Sequence, residues 1–202
     1  MKLELIPVIE LPTFKYKDLE QVTDVKAKRK LLIERNYSEV HKLKPLNEIQ
    51  YKISEISDVD LLKAIELHIS DLPIKDSCAL FGGYALKVND EIILHPQCCG
   101  LLSEIEDWKI LLNEDFKPFY LKECHPSPKF CKINDEIHIE CNPDETGSFE
   151  PKTQNMIIVK HDSLMIALNE LLTELKKLSE RLNRIYPSEN NLDVSKILIW
   201  NE

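Results

Sequence analysis

Apolar positions in this chain follow two periods. From Leu164 onward, Leu164, Leu168, Leu171, Leu175, Leu178, Leu182 and Ile185 recur at alternating steps of four and three. That spacing draws a seam along one side of a helix. It predicts a helix over Ser163–Tyr186, capped by Asp162 or Ser163 and stopped at Pro187. Met165, Ile166 and Leu172 widen the first half, which predicts packing on the body of the protein. The narrower second half leaves two arrangements open: packing within the chain, or a homodimer through the Leu164–Ile185 helix.

A shorter stripe of Leu61, Leu62, Ile65 and Ile69 predicts a second helix, capped by Asp58 or Asp60 and closed by Pro73. Lys17–Val40 reads as a moderately amphipathic helix whose basic run, Lys26, Lys28, Arg29 and Lys30, is a solvated face. Leu101–Leu112 reads as another, with Ser103 and Glu106 at capping-box spacing near its start.

The middle of the chain reads as strand. Lys87-Val88-Asn89-Asp90-Glu91-Ile92 is echoed by Lys132-Ile133-Asn134-Asp135-Glu136-Ile137. Asn and Asp tolerate the left-handed backbone of a two-residue hairpin turn, so two hairpins are predicted, over Cys78–His95 and Lys129–Cys141. Lys2–Leu11 reads as an edge strand, because Pro7 has no amide hydrogen to donate. Val194–Trp200 reads as a last strand. Phe81-Gly82-Gly83-Tyr84 predicts a turn or bulge entering the first hairpin, or an aromatic binding patch with Trp108. Together these elements predict a single α+β domain over residues 1–202. Antiparallel hairpins form a sheet, packed with several helices that include the long C-terminal amphipathic one.

Composition narrows the functional classes. A chain of 202 residues buries a core without disulfides or metals. The formal charge of −9 repels phosphate backbones and suits a basic protein surface, so nucleic acid is not expected as a partner. No apolar run reaches the ~18 residues of a membrane helix, so no membrane partner is expected either. The opening MKLELIPVIEL is too short and charged for a secretory signal. A cytoplasmic location follows by elimination, and with it reduced cysteines. Only four glycines occur, and neither GxGxxG nor GxxxxGK[ST] is present.

Between His95 and Cys141 the chain gathers candidate zinc ligands: His95, Cys98, Cys124, His125, Cys131 and His138. The spacing matches no finger or ribbon. His138 and Cys141, three apart on a strand, would point to opposite faces. A two-residue turn at Asn134-Asp135 instead sets Cys131 opposite His138, on one face. That pair is open to three readings: half a metal site, a catalytic thiol–imidazole pair, or an ordinary half-buried sheet face. Cys98 and Cys99, before Gly100, also read as small fillers at a tight turn. A second feature is acidic. Glu104, Glu106 and Asp107 on the predicted helix, with Glu140 near the end of the second hairpin, are expected to share a face that holds a partner.

Gly82-Gly83 after an apolar stretch, then paired strands, then the Leu101–Trp108 helix, faintly resembles the SUKH superfamily of bacterial immunity proteins. The resemblance covers Leu80–Trp108 alone, and the chain departs from the family in its leucine seam and its His95-Pro96-Gln97-Cys98-Cys99 segment. It implies an α+β inhibitor that binds a toxin. The expectation is therefore a non-enzymatic protein-binding protein without cofactor. The alternative is a zinc-binding protein or a Cys/His hydrolase.

Overall fold

The computed structural model describes residues 2–47, 49–186 and 192–202. The chain is α+β and builds two four-stranded sheets. The first, in order β2-β1-β3-β4, joins β1 (Leu3–Glu10), β2 (Gln50–Lys52), β3 (Gly82–Val88) and β4 (Glu91–Leu94). The second runs β5-β6-β7-β8, from β5 (Phe119–Tyr120), β6 (Lys129–Ile133), β7 (Glu136–Glu140) and β8 (Met156–Lys160). Every neighbouring pair is antiparallel.

Both Asn-Asp turns form where the sequence predicts them. Val88 pairs with Glu91 and Ile133 with Glu136, and Asn89 and Asn134 both sit at φ 55°. Lys2–Leu11 departs from its expectation, for β1 is an inner strand between β2 and β3. Proline is tolerated there for a geometric reason. The Glu10 amide donates toward Phe81, beside β3, and the Leu11 amide toward Ile49, beside β2. Amides alternate sides along a strand, so Pro7 faces the β2 side. There β2 has already ended, its last partner being Val8 opposite Lys52. Over its first half β1 is thus an edge toward β2.

The long helix α4 (His161–Ile185) packs on β1 with Leu164, Leu168, Leu171, Leu175, Leu178 and Leu182 all buried. The seam is therefore inside the chain's own core, and it offers no apolar stripe to a second copy. The large apolar side chain this helix exposes, among the described residues, is Ile166. Lys160 rather than Asp162 or Ser163 holds the N-cap position, and no side chain caps the amides. The predicted stop at Pro187 lies outside the described residues. Arg181 ties α4 to α2 (Asp58–Ile69), donating to Asp58 Oδ1 at 2.7 Å and to the Ile53 carbonyl at 3.1 Å.

Three further readings are corrected. Val194–Leu198 is a helix, α5, not a strand: Asp193 caps it through the Ser195 amide, and Val194, Ile197 and Leu198 bury one face. Ser57, not Asp58 or Asp60, caps α2 by accepting from the Asp60 amide. Lys17–Val40 is α-helical only over α1 (Val25–Asn36), where Asp24 caps the first turn, with short 3₁₀ turns at Lys17–Leu19 and Val40–Lys42.

Gly82 and Gly83 start β3 instead of forming a turn. A Cβ on Gly82 would lie 2.1 Å from the Val8 carbonyl oxygen, so glycine is what lets β3 close on β1. The Leu101–Leu112 segment is α3 (Ile105–Lys109) between two 3₁₀ turns. Ser103 does not cap it, and Glu106 turns to Lys109 instead.

Candidate functional site

An open cleft of about 1020 Å³ lies where the Pro143–Asn155 arm, which follows the second sheet's β7, meets the first sheet. Its floor is built on Gln50 of β2, a buried amide whose two hydrogens and oxygen are all bonded. Gln50 Nε2 donates to Glu10 Oε1 at 3.3 Å and to the Pro96 carbonyl at 3.0 Å, while its Oε1 accepts from Asn47 Nδ2 at 2.7 Å. A buried amide held at three points is a rigid reference for whatever enters. Leu46, Ile49, Pro96, Phe149 and Pro151 supply the apolar wall.

The far wall is docked, not draped. The Glu150 amide donates to Gln97 Oε1 at 2.8 Å, and the Thr153 hydroxyl donates to the Ile93 carbonyl. Cys141 and Asn155 close the base of the arm through an amide–carbonyl bond of 2.8 Å. Burial raises the Glu10 carboxyl above its ordinary value, opposed by the Gln50 bond and the nearby Arg29 charge. The cleft thus holds one carboxyl that takes up a proton more readily than a free glutamate.

The predicted metal ligands do not converge. Cys131 and His138 are register partners, as the turn predicts. No hydrogen bond joins their side chains, and each has other neighbours. The Cys131 thiol points to the His138 carbonyl (3.7 Å) and Glu140 Oε1 (3.9 Å), and His138 Nε2 to Glu136 Oε2 at 3.8 Å. Burial and the Glu140 charge push that thiol up, which opposes nucleophile chemistry at neutral pH. Cys98 pairs as an isolated bridge with His125, but through backbone, the His125 amide donating to the Cys98 carbonyl at 2.9 Å. Cys124 is buried against Glu104. His95 is half-buried, its Nδ1 has no partner, and burial lowers its pKa. Among the described residues no three His, Cys, Asp or Glu side chains gather to hold a metal.

The acidic face is also redistributed. Glu104 and Asp107 are buried, so neither can meet a partner. Asp107 receives Lys122 twice, from Nζ at 2.9 Å and from the amide at 3.0 Å. Exposed Glu106 pairs with Lys109 at 2.8 Å, and Glu140 pairs with Lys129 at 3.2 Å. These four carboxylates therefore do not make one negative surface. The helix 102–112 turns inward where an amphipathic count places its acids outside.

Sequence reasoning missed a different thiol–imidazole contact. His68 Nε2 lies 3.0 Å from the Cys78 carbonyl and 3.8 Å from its thiol. The carbonyl requires a proton on Nε2, so that nitrogen is a donor there and not a base for the thiol. The cleft was missed because Glu10, Gln50, Cys98 and Phe149 are far apart in the chain, and no local pattern joins them.

No family model, curated protein or solved structure matches this chain. The functional reading therefore rests on the chain's own geometry.

Proposed function

We propose that this chain is a non-enzymatic binding protein, and that its cleft receives a short extended segment of a partner protein. The observation that carries this is the preorganised floor: Gln50, locked to Glu10, Pro96 and Asn47, beneath an apolar wall in a cleft of about 1020 Å³. That volume is at the upper end of sites that enclose drug-sized ligands, and it has room for several residues of chain. Lining that mixes Leu46, Ile49, Phe149 and three prolines with a few fixed polar groups suits side chains docked along a backbone. The formal charge of −9 disfavours a nucleic acid, and a cleft lined by Lys26, Arg29 and Lys152 together with Glu10 and Glu150 suits a segment of mixed charge. The faint likeness to immunity proteins supplies one class of partner, a toxin, and the cleft replaces the acidic face as the proposed contact.

The test uses a displayed library of random peptides selected on the full chain, followed by affinity measurements in solution. Selected peptides are expected to lose at least about tenfold in affinity when Ser148→Trp fills the cleft from its exposed rim. Glu106→Lys, on another surface, should leave binding unchanged. Peptides indifferent to the cleft-filling change would overturn the reading.

A further inference from the structure

At the cleft mouth, Cys98 and Cys99 place their thiols 3.4 Å apart, and both residues are exposed. We propose that this vicinal dithiol is a modification site, oxidised by a low-molecular-weight disulfide to an intramolecular Cys98–Cys99 disulfide. Three observations support it. The sulfurs already point at each other, which free rotation of two adjacent side chains does not require. The backbone is already bent, with Cys99 at φ +66° and Gly100 closing a turn by donating to the Gln97 carbonyl at 3.2 Å. That turn is anchored on both sides. The Gln97 side chain donates to the His95 carbonyl and accepts from Glu150, and the Cys98 carbonyl accepts from His125. Held ends and a bent middle keep the two thiols together instead of letting them splay.

The chemistry balances without a metal or cofactor. The hydrogen bond to Cys99, then burial, holds the Cys98 thiol above its ordinary value, so the first attack on a sulfur of RSSR is assigned to the Cys99 thiolate, which forms a protein mixed disulfide and releases RS⁻. The neighbouring thiol, as thiolate, then attacks the protein sulfur of that mixed disulfide. A ring closes and a second RS⁻ leaves. The protein loses two protons and two electrons; RSSR takes them and becomes two RSH. Adjacent Cα atoms are ~3.8 Å apart, closer than the separation usual for a disulfide. The ring is therefore strained, and a strained, exposed disulfide is one that reductant reopens readily. The site does not depend on what the cleft binds.

The experiment treats the full chain with oxidised glutathione, blocks remaining thiols by alkylation and digests with trypsin. The fragment Val88–Lys109 holds Cys98 and Cys99 and no other cysteine. It is expected to lose two hydrogens and carry neither glutathione nor alkyl group, on a chain that remains unlinked to others. Cys98→Ser should instead trap a stable glutathione adduct on Cys99. Phenylarsine oxide, which bridges neighbouring thiols, should protect both from alkylation in the untreated protein. The proposal is overturned if the wild-type fragment keeps glutathione, or if both its sulfurs are alkylated after the treatment.

Discussion

The carboxyl of Glu104 lies against the thiol of Cys124, and both side chains are sealed from water. Burial lifts the Glu104 pKa to about 8, against a weaker opposing effect of the thiol, with Asp107 and Glu123 adding to the rise. Burial, then the Glu104 charge, pushes the Cys124 thiol well above its ordinary value. At neutral pH the pair is therefore mainly two neutral groups, which is how the core tolerates an acid next to Gly83 and Gly100.

This pair predicts a stability that falls as pH rises from about 4.5 to about 8. A carboxyl raised on folding stabilises fully below its unfolded value near 4.5, and that contribution disappears as pH climbs through about 8. The change amounts to roughly 3–5 kcal/mol. Glu10 and Glu174 are raised by burial too and slope the same way. The diagnostic is consequently a difference: Glu104→Gln should flatten the fall in melting temperature between mildly acid and alkaline pH. Parallel curves for wild type and variant would show that Glu104 is not the group responsible.

Asp60 predicts the opposite slope. It is buried on α2 and accepts from the Ser38 amide and hydroxyl at 2.8 Å each and from the Glu39 and Val40 amides at 2.7 Å each. Burial raises its carboxyl, but these donors outweigh burial and hold it below the usual range. Its contribution is present above the unfolded carboxylate value and is lost as pH falls through the lowered one. Asp60→Asn should cost roughly 2–3 kcal/mol in denaturant unfolding at neutral pH. It should also speed amide exchange at Ser38–Val40. Unchanged exchange there would mean the loop does not rely on Asp60.

Legibility in the sequence tracked how local the cause was. The Cys131–His138 register follows from a two-residue turn, and the α4 seam from a repeat within one helix, so both could be read directly. The first hairpin matched at its turn but not along its length, because a register shift falls between Leu86 and Lys87. The placement of β1 depends on where β2 stops, and α5 on Asn183 of α4 holding both the Asp193 cap and the Val194 amide. The burial of Glu104 depends on Gly83 of β3, Gly100 and Cys124 meeting around its carboxyl, and that of Asp107 on Lys122 folding back over it. None of these long-range facts leaves a period in the sequence.

Glycine positions give a contrast between collision and strain. Gly82→Ala sets a Cβ 2.1 Å from the Val8 carbonyl oxygen at φ +144°, so β1 and β3 must separate. Unfolding measurements should show a loss above roughly 3 kcal/mol, or no folded protein at all. Gly147→Ala meets nothing within 4 Å and carries only its φ of +132°. Backbone strain alone should cost it roughly 1–2 kcal/mol. Equal losses at the two sites would remove the close approach as the reason for Gly82.

The leucine seam provides the last discrimination, between a core and a dimer interface. Leu175 is fully buried in the chain's own core, and Ile166 on the same helix is 60% exposed. If packing within the chain is what α4 provides, Leu175→Ala leaves a cavity and costs roughly 2–5 kcal/mol. Ile166→Ala should then stay within about 0.5 kcal/mol. The two costs should also be independent of protein concentration, since unfolding of a self-associated state shifts with concentration by mass action. A midpoint for Leu175→Ala that rises steadily with concentration, in a parent protein that does the same, would mean the helix is shared between copies after all.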